Sequence, residues 1–217
     1  MKGNSERVPN KNLRAFNGRP LYHAIFRSLL QSKYISEFVI NTDSEAIKRD
    51  AKEYFPSVTI VDRPAEIQGD FVPMNDVIGY DLSKTDGDIY IQTHSTNPLL
   101  LSASLDKAIE TFLEKKDLYD SLFSVTRIQS RLYWNSGEAI NHNPKELLRT
   151  QDLPPVYDEN SNFYIFTKES FKNSDGKRIG LKPMMFEIDK IEAVDIDEPQ
   201  DFIIAEALYK QLRATAE

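Results

Sequence analysis

The stretch "EFVINTDSEAIKRDAKEYFPSVTIVD" (37–62) decides the fold class, because its hydrophobic period changes twice in a short span. "EFVINT" (37–42) is a β-branched and aromatic run of strand composition. In the following "DSEAIKRDAKEYF", Ile47, Ala51, Tyr54 and Phe55 share one helical face, with Asp43 or Ser44 as the cap. "SVTIV" (57–61) then returns to strand-forming residues. Strand, helix, strand in that order is the repeating unit of a parallel sheet.

The alternation extends in both directions. Upstream, "RPLYHAIFRSLLQS" reads as an amphipathic helix with Pro20 near its first turn. Downstream come "PMNDVIGYDLSK" as helix, "DIYIQTH" (88–94) as strand, "SASLDKAIETFLEKK" as helix and "DSLFSVTRI" (120–128) as strand. "IEAVDID" reads as a strand and "EPQDFIIAEALYKQL" as a closing helix with Pro199 near its start. The expectation is an α/β fold over 1–217 as a single domain, with a doubly wound, mostly parallel sheet. Such sheets bind ligands beyond the carboxyl ends of their strands, which singles out the segments after Thr42, Val61 and His94. Between Tyr133 and Arg178 the rhythm loosens into turn residues around short β-prone runs, so approximately 129–180 is read as an excursion from the main sheet. Its Tyr133 and Trp134 read as interface or core aromatics. There is no internal repeat and no low-complexity tract.

Composition narrows the function. The 217 residues suffice for one substantial core, and 40% hydrophobic with 28% charged residues is ordinary for a globular chain. A net charge of −7 argues against nucleic-acid or anionic-membrane partners, so any anion site is built locally. The chain has no cysteine, which excludes disulfides, thiolate metal sites and a Cys nucleophile. No stretch approaches the roughly 20 apolar residues of a membrane span, and the start lacks a secretory apolar segment, so a cytoplasmic protein is expected.

Three groups of residues could carry chemistry. The opening "MKGNSERVPNKN" (1–12) places Lys2, Gly3, Asn4, Ser5, Arg7, Lys11 and Asn12 just upstream of a helix. Backbone N–H groups with Lys and Arg side chains suit a polyphosphate, although no Walker sequence is present and a disordered basic tail is the plain alternative. Asp195 and Asp197 flank Ile196 on an expected strand, so both carboxylates face one side, as two oxygen ligands for Mg²⁺ require; otherwise Asp197 caps the final helix. Arg63 precedes Pro64 in a loop and is either solvated or a ligand group. His94 ends a strand, where a lone His is commonly structural. His23 and His142 have no partners at metal spacing.

Six segments, in order, resemble the acylneuraminate cytidylyltransferase family. "KGNSERVPNKN", followed by Gly18-Arg19-Pro20-Leu21, is similar to that family's N-terminal signature and its GKPL sequel. "INTDSEAI" (40–47), "DRPAEI" (62–67), "DIYIQTHSTNPLL", "QDLPPVYDENSNFYIF" and "VDIDEPQDFIIAE" resemble later family segments, spanning residues 2–206. The resemblance implies cytidylyl transfer from CTP to a keto-sugar acid of the sialic, legionaminic or pseudaminic type, yielding a CMP-sugar and pyrophosphate. A 3-deoxy-octulosonate acceptor and a non-catalytic nucleotide- or sugar-binding protein are the alternatives. It implies Lys2 and Lys11 near the triphosphate with Asn12 beside them, and Arg63, Asp70, Asn75 and His94 on the nucleotide, His94 standing where the family has Gln. Asp195 and Asp197 would hold Mg²⁺. Gln151, Asp152, Tyr157, Asn160 and Arg149 would recognise the sugar, in an excursion that also joins a homodimer. Glu6 departs from a position often held by Lys, and Arg7 from one where Gly is usual. In the family this loop follows a central hydrophobic strand, so the resemblance implies that this first strand is missing from the chain.

Overall fold

The structure is a computed structural model describing residues 1–3 and 8–214. The deciding stretch folds as its periods dictate. Strand β3 (Val39–Thr42) leads into helix α2 (Glu45–Tyr54) and parallel strand β4 (Thr59–Asp62), with Ile40 beside Ile60 and Thr42 beside Asp62. Ser44 is the helix cap: its hydroxyl accepts from the Ile47 N–H. Ahead of this unit lie a two-residue hairpin, β1 (Ala15–Phe16) and β2 (Arg19–Pro20), and helix α1 (Tyr22–Leu30). The hairpin turns on Asn17 (φ 49°) and Gly18 (φ 80°), two left-handed residues that a tight turn of matching twist requires.

A four-stranded sheet has the order β5 (Tyr90–Thr93), β7 (Val156–Phe166), β6 (Ser121–Ile128), β8 (Pro183–Glu187). β5, β6 and β8 point one way and β7 alone runs against them. Helices α3 (Met74–Lys84), α4 (Ser102–Lys115), α5 (Lys168–Asn173) and α6 (Pro199–Ala214) complete the fold. Alternate residues of β7 separate two cores. Phe163 and Ile165 pack with α1, α2 and α4, while Tyr164 and Phe166 pack with α3 and α5. A strand covered on both faces reads as a continuous apolar run, which "FYIF" is. A third cluster joins Val8, Phe16, Leu21, Ile196 and Phe202, seating α6 against the hairpin.

Two expectations are corrected. The excursion leaves the sheet after Ile128 but has rejoined it by Val156, because residues 156–166 form β7 itself. Its turn-like residues mark an irregularity inside the ladder, where the register shifts between Phe123 and Val125 and Ser161 adopts φ 57°. Residues 191–197 are not a strand. Ala193 N–H to Asp189 O and Val194 N–H to Ile191 O make turns, and among the described residues the one backbone–backbone bond to another segment runs from Ile196 N–H to Thr96 O. Among the described residues no backbone forms a ladder with this segment, although Ile196 is buried as the alternation requires.

Candidate active site

A cleft of about 920 Å³ opens between β3 and β5, which belong to different sheets; Ile25, Phe26, Leu29, Ile40 and Ile109 make much of its wall apolar, so only its polar part bears on a charged ligand. Among the described residues each pairs on one edge only, so the cleft is flanked by strand edges. Lys2, Lys11, Asn12, Arg63, Asp70, His94, Asp195 and Asp197 all line it.

The N-terminal loop is tied to the cleft by its backbone. Gly3 N–H donates to Asp43 Oδ1 (2.8 Å), and a Cβ on Gly3 would lie 2.9 Å from that of Ser44. Asn12 donates to Lys2 O (2.9 Å) and accepts from Ser95 Oγ (2.7 Å), so one end of its amide closes the loop on itself and the other fastens it to the segment after β5. Lys2 pairs with Asp70 (2.6 Å), two residues singled out separately in the sequence. Asn4 and Ser5, with Glu6 and Arg7, lie outside the described residues.

Lys11, with 11% of its side chain exposed, donates to Ile196 O (2.7 Å) and to Asp197 Oδ1 (3.3 Å). Desolvation pushes Asp195 above the usual carboxylate range, and the nearby Asp197 charge adds to this, against a hydrogen bond from Thr96. The start of the closing helix is tied by Asp201, whose Oδ2 accepts from the N–H groups of Asp197 and Glu198. Two carboxylates beside one ammonium on a cleft wall fit a hard divalent cation that takes its remaining ligands from phosphate and water. Among the described residues no group of three or more His, Asp or Glu side chains could hold a metal.

Arg63 is buried, not solvated. Its Nε donates to Asn41 Oδ1 (2.6 Å) and its Nη2 to Asn41 O (3.3 Å), while Asn41 Nδ2 donates to Asp81 Oδ1 (2.6 Å). Burial lowers the Arg63 pKa and raises that of Asp81. His94 keeps a buried Nε2 with no partner; burial, and after it the charge of Arg178, holds its pKa down at about 4.

The cytidylyltransferase family model matches residues 1–217. The chain belongs to the cytidylyltransferase family. It is 30% identical over 224 residues to post-translational flagellin modification protein B of Campylobacter coli, covering 97% of this chain and 92% of that protein. It is 28% identical over 222 residues to pseudaminic acid cytidylyltransferase of Campylobacter jejuni subsp. jejuni serotype O:2, covering 96% and 93%. A solved structure of CMP:2-keto-3-deoxy-manno-octonic acid synthetase complexed with CTP superposes with a TM-score of 0.71 at 14% identity, covering 97% of this chain and 96% of that one. At that identity the likeness establishes the fold.

Within this family member the residues assigned to the sugar stand apart from the cleft, and none of the five lines it. Arg149 holds Asp152 through two bonds (2.6 and 3.0 Å), so its fork is already engaged. Asn160 accepts from Ser124 Oγ (2.6 Å) and donates to Thr126 Oγ1 (2.8 Å), pinning the irregularity between β6 and β7. Gln151 offers its carbonyl to Gln129 (2.8 Å), and Tyr157 is exposed on β7. Asn75, on the first turn of α3, accepts from Arg178 N–H (3.3 Å). Sequence reading missed Asn41, Asp43, Asp81 and Ser95. Asn41 and Asp43 sit at the carboxyl end of β3 and Ser95 just after β5, where topology already pointed; nothing local marks Asp81.

Proposed function

We propose that this cytidylyltransferase moves the cytidylyl group of CTP to the anomeric hydroxyl of a nonulosonic acid of the sialic, legionaminic or pseudaminic type, releasing pyrophosphate. The observation that carries this is the convergence of Lys2, Lys11, Asp195 and Asp197 on one cleft, with Lys11 bonded to Asp197. The α-phosphorus–oxygen bond to pyrophosphate breaks as the sugar oxygen bonds to phosphorus, so catalysis consists of positioning and charge neutralisation. The Gly3–Asp43 and Asn12–Ser95 bonds hold the loop backbone towards the cleft, and Lys11 neutralises phosphate charge beside Asp197. Asp195 and Asp197 would hold Mg²⁺, which supplies Lewis-acid neutralisation of the phosphates. Arg63, fixed by Asn41, gives the nucleotide side of the cleft a rigid cation.

The likeness to a named pseudaminic acid cytidylyltransferase supports the acceptor class. A homodimer is supported by the arm over 129–157, which exposes Tyr133, Trp134, Leu147, Leu148 and Tyr157, Leu147 to 90%. The use of CTP supports work in the cytoplasm; among the described residues no helix is long and apolar enough to cross a membrane. Pyrophosphate release from CTP with a panel of nonulosonic and octulosonic acids, with and without Mg²⁺, tests the reading. Release only with nonulosonic acids, dependent on Mg²⁺, is expected; CTP binding without release for any acid overturns it. Asp197→Asn should abolish turnover with the fold intact, and retained activity would refute the metal role.

A further inference from the structure

A keto-sugar acid in its cyclic form carries the anomeric hydroxyl and the carboxylate on the same carbon. The group that takes the carboxylate therefore lies within a few ångströms of the reacting centre. Arg149, suggested by sequence, does not line the cleft: its side chain is 72% exposed and its fork meets Asp152 in a surface pair. The cations on the cleft wall are also engaged: Lys2 by Asp70, Lys11 by Asp197 and Ile196 O, Arg63 by Asn41.

Resting on the function proposed above, we infer that Arg178 receives the carboxylate of the acceptor sugar acid. Its guanidinium carbon lies over the Tyr164 ring, 3.7 Å from the centroid, and Nη1 donates to Gln92 Oε1 (2.6 Å). Arg178 is not itself a lining residue; it meets the cleft through its bond to Gln92, which lines it, as does His94 two residues on. Among the described residues no carboxylate approaches the guanidinium within 4.0 Å; the nearby Glu159 accepts from the Tyr164 hydroxyl instead. An arginine stacked on an aromatic face keeps its edge donors for a planar anion, the arrangement that suits bidentate carboxylate binding. His94 points to the same ligand, since its buried Nε2 has no partner and stands beside Arg178 in a neighbourhood that also holds the Lys11 ammonium.

The side chain is preset by its loop. Asp175 (φ 55°) and Gly176 (φ 72°) turn the chain after α5, Ser174 Oγ donates to Lys177 O (2.7 Å), and the Arg178 N–H is held by Asn75. Asn75 thus reaches the acceptor through Arg178, as a positioning residue. Less of the arginine's conformational freedom is then lost on binding.

The test compares each acid with its C1 carboxamide, which keeps the shape and removes the charge. Pyrophosphate release is measured for the wild-type chain, Arg178→Met and Arg178→Lys, using pseudaminic, legionaminic and N-acetylneuraminic acids. The wild type should prefer the acid it uses over the amide by about tenfold to a hundredfold, the worth of a charge-assisted pair. Arg178→Met should raise KM for the acid by a similar factor, leave KM for CTP within about twofold, and lose the acid-over-amide preference. Arg178→Lys, which retains the charge without the fork, should recover part of that preference and covers the case in which the Met variant does not fold. A preference undiminished in a folded variant, or an equal rise in KM for CTP, overturns the assignment while leaving the reaction standing. Absence of wild-type turnover with every acid overturns the reaction itself.

Discussion

Replacing Asn41 by Ala tests whether one buried amide organises the nucleotide wall of the cleft. Asn41 joins a buried cation to a desolvated carboxylate, accepting from Arg63 Nε and donating to Asp81 Oδ1, both at 2.6 Å. A hydrogen bond to a charged group contributes about 1.5–3 kcal/mol, so two give an upper range of about 3–6 kcal/mol. Two features reduce the loss. Arg63 Nη2 keeps its bond to the Asn41 backbone carbonyl, and removal of the amide lets Arg63 and Asp81, which already attract one another, approach more closely. A loss of about 2–4 kcal/mol is therefore expected, measured by urea unfolding followed by far-UV circular dichroism at neutral pH. Asn41→Asp supplies the signed control. The new carboxylate pairs with Arg63 but confronts Asp81, whose pKa burial already raises, so the two carboxyls share a proton. A pKa raised in the folded state contributes stability present below the unfolded carboxylate pKa and lost as pH rises through the folded one. The Asp variant should thus gain on the Ala variant towards acid pH. A loss below about 1 kcal/mol for Asn41→Ala, or parallel pH curves for the two variants, would refute the reasoning.

Two further outcomes follow from the site. His94 is held near pKa 4 in the fold against 6.5 when unfolded, so the neutral ring favours the folded state; its contribution is complete above about pH 6.5 and is lost as pH falls towards 4. His94→Gln should flatten the decline of stability across that window, and slopes equal to wild type would count against the burial of this ring. Gly3→Ala puts a Cβ against Ser44, so the loop must leave Asp43; KM for CTP should rise by about tenfold while the thermal midpoint moves by only a few degrees. An unchanged KM for CTP would separate the Gly3–Asp43 contact from nucleotide binding.

Much of the secondary structure was legible because its causes are local. The 37–62 unit emerged from a period of two giving way to 3.6 and back, and Ser44 capped α2 because its hydroxyl lies three residues from an open N–H. β7 was hidden because "PPVYDENSN" carries turn residues; they absorb an irregularity within the ladder, and only the neighbouring strands make that segment a strand. Residues 191–197 erred the other way, since β-prone alternation buried Ile196 but no strand came alongside to pair. At the site, Lys11 and Asp197 stood out as residue types but not as a pair, being far apart in sequence and joined by a 3.3 Å contact.

The amino-acid sequence by itself determined the α/β class and the family, and singled out the candidate carboxylates and lysines, because periodicity and short motifs are properties of neighbours along the chain. Tertiary structure alone decided which cations meet a carboxylate of the chain itself. Arg149 and Arg178 look alike as letters, yet one is spent on Asp152 and the other is stacked on Tyr164 with no carboxylate against it among the described residues. An arginine's role depends on what lies within about 4 Å of its fork, and that is set by strands and loops distant in sequence.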